Sequence, residues 1–400
     1  MQQKAISITV LNNYKELMVK KIVFVIHGLP VGGAEKFLIT LVNHLPPKAF
    51  EPHIILLSKD ETLKHELNSN VYVHKVIKSS RFDFGISKRI KGLIDVISPE
   101  IVMCVNTYSF FLTKLGYSAK SPYRFILSPH TTIPFSIYNY LQSMVYYRKV
   151  RPNDLVLYLC NAQMRYINNT YKLPMHNKKV IYNGIDSAFY SPENISDNEV
   201  TSLLQSLNIN SHEKIIVQVA RIQKEKRHED AIEALALLNK NRVSSKVHLL
   251  IVGGGDADKI AMLKDRVQRL GEQDHIHFLG SRHDVRLYYK AASIFTLTSE
   301  SETFSLAALE AMAFGLPVVL TNVGGAAEMV TEYQNGILVP PKKPEKIAAA
   351  WNKALLHPFD STVIRKQVVN NFSIDQMVNN YLQIFSARPN QSIRSKISIS

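Results

Sequence analysis

The sequence predicts an α/β protein built from two doubly wound, Rossmann-like domains that face each other across a central cleft. Three observations lead there. The chain's 400 residues exceed what a single hydrophobic core organises. Short apolar runs rich in β-branched residues alternate with amphipathic runs, the pattern of strands buried on both faces and their crossover helices. This alternation runs twice, interrupted by the Asn-, Ser- and Pro-containing stretch VIYNGIDSAFYSPENISDNE.

In chain order, residues 1–20 are expected to be a disordered extension, because Met18 followed by VKKIVFVIHG reads like a natural beginning. Residues 21–190 form the first domain. KIVFVIHG reads as a strand, 34–44 as a helix, HIILLS and VYVHKVI as strands, 86–97 as a helix, and IVMCVN, RFILSPH and LVLYLC as strands. Residues 191–212 are expected as a linker. In 213–370 the alternation begins afresh: KIIVQVA is a strand, 229–239 a helix, and VHLLIVGGG, IHFLG, SIFTLTS, LPVVLT and GILVP are strands. A helix over 371–386 is expected to cross back onto the first domain, leaving 387–400 as a flexible tail.

Hydrophobic residues make up 46% of the chain and charged ones 20%, which excludes wholesale disorder. The two cysteines, Cys104 and Cys160, sit in strand-like runs, so neither a disulfide framework nor a cysteine metal cluster is expected, and a reducing, cytoplasmic location is. No apolar segment is long enough to span a bilayer, and the opening residues lack a signal peptide's pattern. The net charge is +15, and residues 1–200 hold 24 Lys+Arg against 14 Asp+Glu, a balance of +10. Such a surface attracts phosphates, nucleic acid or anionic lipid without choosing among them. IYNYLQSMVYYRKVR (137–151) reads as a helix carrying aromatics and cations. It is either a core-packing helix with a solvated basic end or a contact with an anionic membrane surface.

The chemistry is sought in SESETFSLAALEAMAFGLP (299–317), where Glu302 and Glu310 frame an apolar helix. Eight helical positions rise about 12 Å and rotate about 80°, a span nearer a sugar-nucleotide than one catalytic centre. Buried carboxylates need partners, so both are solvated or both bind something. If the helix begins near Phe304, its free N–H groups make an anion site suited to a diphosphate. ARIQKEKRHED adds Arg221 at a strand end and Lys226 in the loop beyond, cations suited to a departing phosphate. GGGDAD contains Asp256 and Asp258, but its place between a strand and a helix suits an N-cap better than a metal site. No essential metal and no cofactor are expected, and the preceding glycines, Gly253 among them, are candidates to line a nucleotide pocket.

Taken in order, VIHGLPVGGAEKFL, VIYNGID, ARIQKEK and SESETFSLAALEAMAFGLPVV resemble the retaining GT-B glycosyltransferases of family GT4, from about residue 21 to the last helix. The resemblance implies a hexose or N-acetylhexosamine donor in nucleotide-diphosphate form, UDP-linked by preference. It implies a glycan or lipid-linked acceptor in cell-surface polysaccharide or glycoconjugate synthesis, and action at the inner face of the membrane. It assigns Arg221 and Lys226 to the diphosphate, Glu302 to the donor hexose and Glu310 to the ribose hydroxyls. Thr303, Phe304, Ser305 and Leu306 match the backbone segment approaching sugar and phosphate. Gly32 and Gly33 match a loop facing the anomeric centre, and His130 matches a histidine on the donor sugar, with His27 as its rival. Ser305 stands where many members carry glycine: a positive φ there would bring strain, and any other φ would free the hydroxyl for phosphate.

Three other classes compete with this reading. A sugar-nucleotide epimerase shares the two-lobed fold. A nicotinamide dehydrogenase would want a G-x-G-x-x-G turn, which HGLPVGGAE lacks. A nucleic-acid binder would explain the charge but not the glutamates, so no nucleic acid is expected as partner.

Overall fold

Residues 19–80, 83–118, 120–134, 136–173, 177–240 and 246–387 are described by a computed structural model. The remainder of the expected extension and tail, 1–18 and 388–400, lies outside them, whereas Lys20, expected in the extension, already belongs to the first strand.

The first sheet holds β1 (Lys20–Ile26), β2 (Phe50–Leu56), β3 (Tyr72–Lys75), β4 (Ile101–Val105), β5 (Arg124–Ser128), β6 (Leu155–Tyr158) and β7 (Lys178–Val180). All pair in parallel, in the order β3-β2-β1-β4-β5-β6-β7. The alternation within β1 explains its burial on both sides. Ile22, Phe24 and Ile26 enter one core and Val23 and Val25 the other. Helices α1 (Gly33–Asn43), α2 (Ile86–Ile97), α3 (Thr107–Leu115), α4 (Ile137–Tyr147) and α5 (Asn161–Tyr171) make the crossovers. Strand β7 was not anticipated, because KKV is too short and polar to stand out.

The second sheet holds β8 (Lys214–Val219), β9 (Val247–Val252), β10 (Ile276–Gly280), β11 (Ile294–Leu297), β12 (Val318–Thr321) and β13 (Gly336–Val339), parallel in the order β10-β9-β8-β11-β12-β13. Its helices are α6 (Asp197–Ser206), α7 (His228–Lys240), α8 (Ala257–Leu270), α9 (Arg286–Ala291), α10 (Leu306–Ala313), α11 (Ala326–Met329), α12 (Pro344–Leu356) and α13 (Ser361–Asn371). Helix α6 falls inside the stretch read as a linker. Ser196 and Glu199 close a reciprocal capping box at its start, an S-x-x-E signal that the polar composition masked.

The final helix, α14 (Ile374–Ser386), lies on the first domain. Its Met377, Tyr381 and Phe385 join the core of Phe24 and Phe50. The crossing is made beside the NGID stretch: Ile185 N–H donates to Phe372 O (2.8 Å), and a β-carbon at Gly184 would come within 2.6 Å of Ser373 O. Only a residue without a side chain permits that approach.

Candidate active site in the interlobe cleft

Strand order reverses between β1 and β4 in one sheet and between β8 and β11 in the other, and at such switch points the loops diverge to leave a crevice. The candidate residues cluster at these ends. Lys226 closes the turn after β8 and Glu302 follows β11, the strand beside it. Their side chains meet: Lys226 Nζ lies 2.5 Å from Glu302 Oε1, and Ser299 Oγ donates to the same oxygen at 2.9 Å. Both are only partly covered, at 21% and 18% side-chain exposure, so a ligand can reach them.

Helix α10 starts one turn away. Ser305 is its N-cap, with φ −76°, and its Oγ accepts from Ala308 N–H at 3.2 Å. The Leu306 and Ala307 amides precede the first intrahelical bond, Leu309 N–H to Ser305 O, and so stand at the positive end of the helix dipole. Glu310 is buried farther along, where Tyr289 of α9 donates its hydroxyl at 2.8 Å. Burial raises the Glu310 pKa, while Tyr289, Lys36 of α1 across the cleft and Tyr190 act to lower it. The buried carboxylate of the sequence puzzle therefore has partners.

From the first domain, Gly32 and Gly33 open α1. The Glu35 carboxylate folds over Gly32, whereas a β-carbon at Gly33 would meet nothing within 4 Å. Arg221 is exposed and, among the described residues, makes no salt bridge or side-chain hydrogen bond; its charge acts on Glu35. Burial raises the Glu35 pKa and Arg221 opposes the rise. Gly253, a candidate for the nucleotide pocket, has a packing reason for its identity: a β-carbon there would collide with the Ala220 carbonyl at the end of β8.

The sequence model for "Glycosyl transferases group 1" matches residues 200–371, and that for "Glycosyltransferase Family 4" matches residues 31–189. This chain is a GT4-type glycosyltransferase. An uncharacterized glycosyltransferase of Methanocaldococcus jannaschii is 33% identical over 207 residues, 51% of this chain and 50% of that protein. The N-acetyl-alpha-D-glucosaminyl L-malate synthase of Bacillus anthracis is 28% identical over 225 residues, 55% of this chain and 56% of the synthase. The glycosyltransferase thus spans little more than half the length of these curated relatives. Among solved structures, Anabaena HepE in complex with UDP superposes with a TM-score of 0.78 at 20% identity, covering 92% of this chain and 99% of that one. A glycosyltransferase from Rickettsia africae gives 0.77 at 21% identity, with 92% and 98% covered. At that identity the likeness establishes the GT-B fold.

The remaining candidates of the glycosyltransferase are placed less simply. His130 follows β5 and packs its ring on Phe37 of α1 at 4.6 Å, with Nε2 3.3 Å from Ser128 Oγ. Burial pushes its pKa down to about 3, which keeps the ring neutral, a form that still hydrogen-bonds a sugar hydroxyl. Its carbonyl also reaches across the cleft and accepts from Thr303 Oγ1 at 3.2 Å. His27, the rival, packs edge-on against Tyr108. The Phe304 ring lies in an interlobe stack, 5.1 Å from Tyr182 and 5.5 Å from Phe372. Ser305 carries no left-handed strain, and its hydroxyl is committed to the helix cap. Asp256 caps α8, accepting from Asp258 N–H at 3.1 Å.

Four contacts in and around the cleft are not legible in the sequence. Asn106, after β4, holds φ 74° and ψ 155°, a conformation costly for a residue with a side chain, and accepts from His130 N–H at 2.8 Å. Thr132 bonds Thr303 across the cleft at 2.9 Å. Tyr289 holds Glu310. Glu328 of α11 accepts from the Asn161 and Ala162 amides at the start of α5, at 2.9 and 2.8 Å, capping a helix of the other lobe. Only the last had a signal, Cys160-Asn161 between a strand and a helix, and its partner is 167 residues distant.

Proposed function

We propose that this glycosyltransferase moves a hexose or N-acetylhexosamine from a nucleotide-diphosphate sugar, UDP-linked, to a glycan or lipid-linked acceptor, with retention at the anomeric carbon. The observation that carries the reading is the convergence of Lys226, Glu302 and the open amides of α10 at the switch point of the second sheet. A diphosphate there would take the Lys226 and Arg221 cations and the Leu306 and Ala307 N–H groups, all donors to negative charge. Glu302, relieved of Lys226, would accept from hexose hydroxyls, and Glu310 from the ribose. Gly33 leaves the opposite wall bare, so that the anomeric carbon and the acceptor hydroxyl can approach. The crystal forms of HepE with UDP and with UDP-glucose favour the uridine nucleotide.

The rate enhancement would come chiefly from fixed cations and amides aimed at the charge that grows on the leaving diphosphate. That oxygen, freed as the sugar leaves, would take the acceptor's proton on the same face. Lys226 and Arg221 would supply the positive charge that a metal otherwise would, so we expect no essential metal. The acceptor would be held by the first domain, at an anionic membrane surface engaged through α4.

The test is a thermal-shift panel of UDP- and GDP-sugars, since a ligand of the folded state raises its melting point. UDP-sugars should shift it and GDP-sugars should not. In transfer assays Lys226→Ala should lose about 10² to 10³ in rate, Glu310→Ala should lose donor affinity, and Asp256→Ala should change neither. Loss of turnover on Asp256→Ala alone, or a loss on chelation that persists in His283→Ala, would sink the assignment.

A further inference from the structure

We propose that His65, Glu66 and His283 form a binding site for a divalent d-block cation, zinc or nickel in kind, that clamps the two lobes together. His65 and Glu66 lie in the short turn after β2, and His283 lies in the loop after β10. They meet across the cleft at the outer edges of the two sheets. One ring nitrogen of each histidine and one Glu66 carboxylate oxygen all fall within 4.8 Å of one another. His283 Nε2 is 3.9 Å from Glu66 Oε1, and the two imidazole rings are 6.5 Å apart, so a small rotation of exposed His283 brings the donors to coordination distance.

The donor set decides the class of ion. Two imidazoles and one carboxylate suit zinc, nickel or copper, whereas magnesium and calcium take oxygen ligands. The first lobe's part is prepared. His65 Nδ1 lies 2.9 Å from the Thr62 carbonyl, which fixes the proton there and leaves Nε2 with its lone pair, the orientation that metal-ligating histidines adopt. Asn43 Nδ2 donates to the Glu66 carbonyl at 2.8 Å and holds the turn. In the first lobe the neighbouring cations are paired, Glu61 taking Lys64 at 3.4 Å and Lys75 at 2.8 Å, while in the second the exposed Arg282 beside His283 is the charge a bound ion must tolerate.

The site stands apart from the transfer chemistry, because β10 is two strands from β8, about 10 Å at ordinary strand spacing. Its ligands come from both lobes, so a bound ion favours the closed arrangement by its differential affinity for it. It would therefore act on opening and product release rather than on the sugar.

Zinc chloride titrated calorimetrically into the whole chain, with small-angle scattering of the same samples, tests this. Expected are one ion per chain with a Kd of about 100 µM or tighter and a smaller radius of gyration with zinc. His65→Ala and His283→Ala should each weaken binding by at least the roughly tenfold that loss of a mere orienting group costs. His283 is 85% exposed, so its removal should leave the zinc-free melting point unchanged. The other histidine pairs, His53 with His74 and His248 with His277, supply controls, and His53→Ala and His277→Ala should bind zinc as before. A weaker Kd, binding that survives His283→Ala, or binding abolished by either control overturns the proposal. The titration uses no nucleotide sugar, so its failure leaves the glycosyl-transfer reading untouched.

Discussion

The Glu310 carboxylate is enclosed by the second domain, and its charge is tolerable because Tyr289 donates to it and Tyr190 and Lys36 lie near. A carboxylate with one oxygen so tied presents the other in a fixed direction, which suits a pair of ribose hydroxyls. Tyr289→Phe should therefore weaken UDP binding by about tenfold, the worth of a hydrogen bond to a charged group. Titration calorimetry should also show a narrowed preference for UDP over 2′-deoxy-UDP. A lower melting point with unchanged UDP affinity would reduce Tyr289 to packing. Histidines give a second residue-scale expectation. Burial lowers the pKa of His130 to about 3, of His228 to about 4 and of His277 to about 4, the last helped by His248 and His275, from an ordinary 6.5. Below 6.5 the unfolded chain binds protons that the folded one refuses, so stability falls as pH drops from there towards 4. The urea midpoint should be lower at about pH 5 than at about pH 7.5, and a midpoint that held or rose would contradict these burials.

Helix starts carry much of the element-scale design. Ser196, Asp256, Ser305, Asp360 and Ser373 each cap the helix that follows, and each is a Ser or Asp, the residue types that cap best, although only Asp256 was legible as a cap in the sequence. Helix α5 differs, since its amides are taken by Glu328 of the opposite lobe, which Tyr182 OH also reaches at 2.9 Å. Burial would raise the Glu328 pKa, but the Asn161 and Ala162 amides and the Asn161 and Tyr182 side chains overcome it and lower it. The carboxylate then contributes stability above the ordinary carboxylate range, lost as pH falls through its lowered value. Glu328→Gln should cost about 1 kcal/mol near neutral pH, in the range of a helix cap. The difference from the parent should vanish in acid; equal urea midpoints near neutrality would mean that this interlobe cap is not formed.

Across the whole molecule, charge and apolar exposure converge on one face of the first domain. Helix α4 leaves Ile137, Tyr138, Leu141 and Val145 exposed, at 74, 61, 54 and 48%, and buries Tyr147 alone among its residues. The helix packs Tyr147 into the first domain's core and Tyr146 against Phe111, so its inner face is a core-packing face while its outer face stays apolar and exposed, and Arg148, Lys149 and Arg151 follow it directly. No described helix is long and apolar enough to cross a membrane. The protein should sediment with anionic vesicles and less with zwitterionic ones, more weakly as salt rises, and Leu141→Asp should abolish the association. Equal binding to both vesicle types would remove the electrostatic part. The sequence by itself determined that there are two parallel sheets with interleaved helices, most of their strands, and Arg221, Lys226, Glu302 and Glu310 as the candidates to look for, because strand burial, helix periodicity and turn chemistry are local and repeat within a few residues; it missed β7 and α6, whose polar composition hides them. Only the tertiary structure decided that Lys226 and Glu302 form one pair, that the His130 ring packs on Phe37 and stays neutral, and that Tyr289 and Glu328 reach partners far along the chain. Those outcomes depend on which loops the switch points bring together and on how deeply each charge is buried, and neither quantity is written in any short stretch of residues.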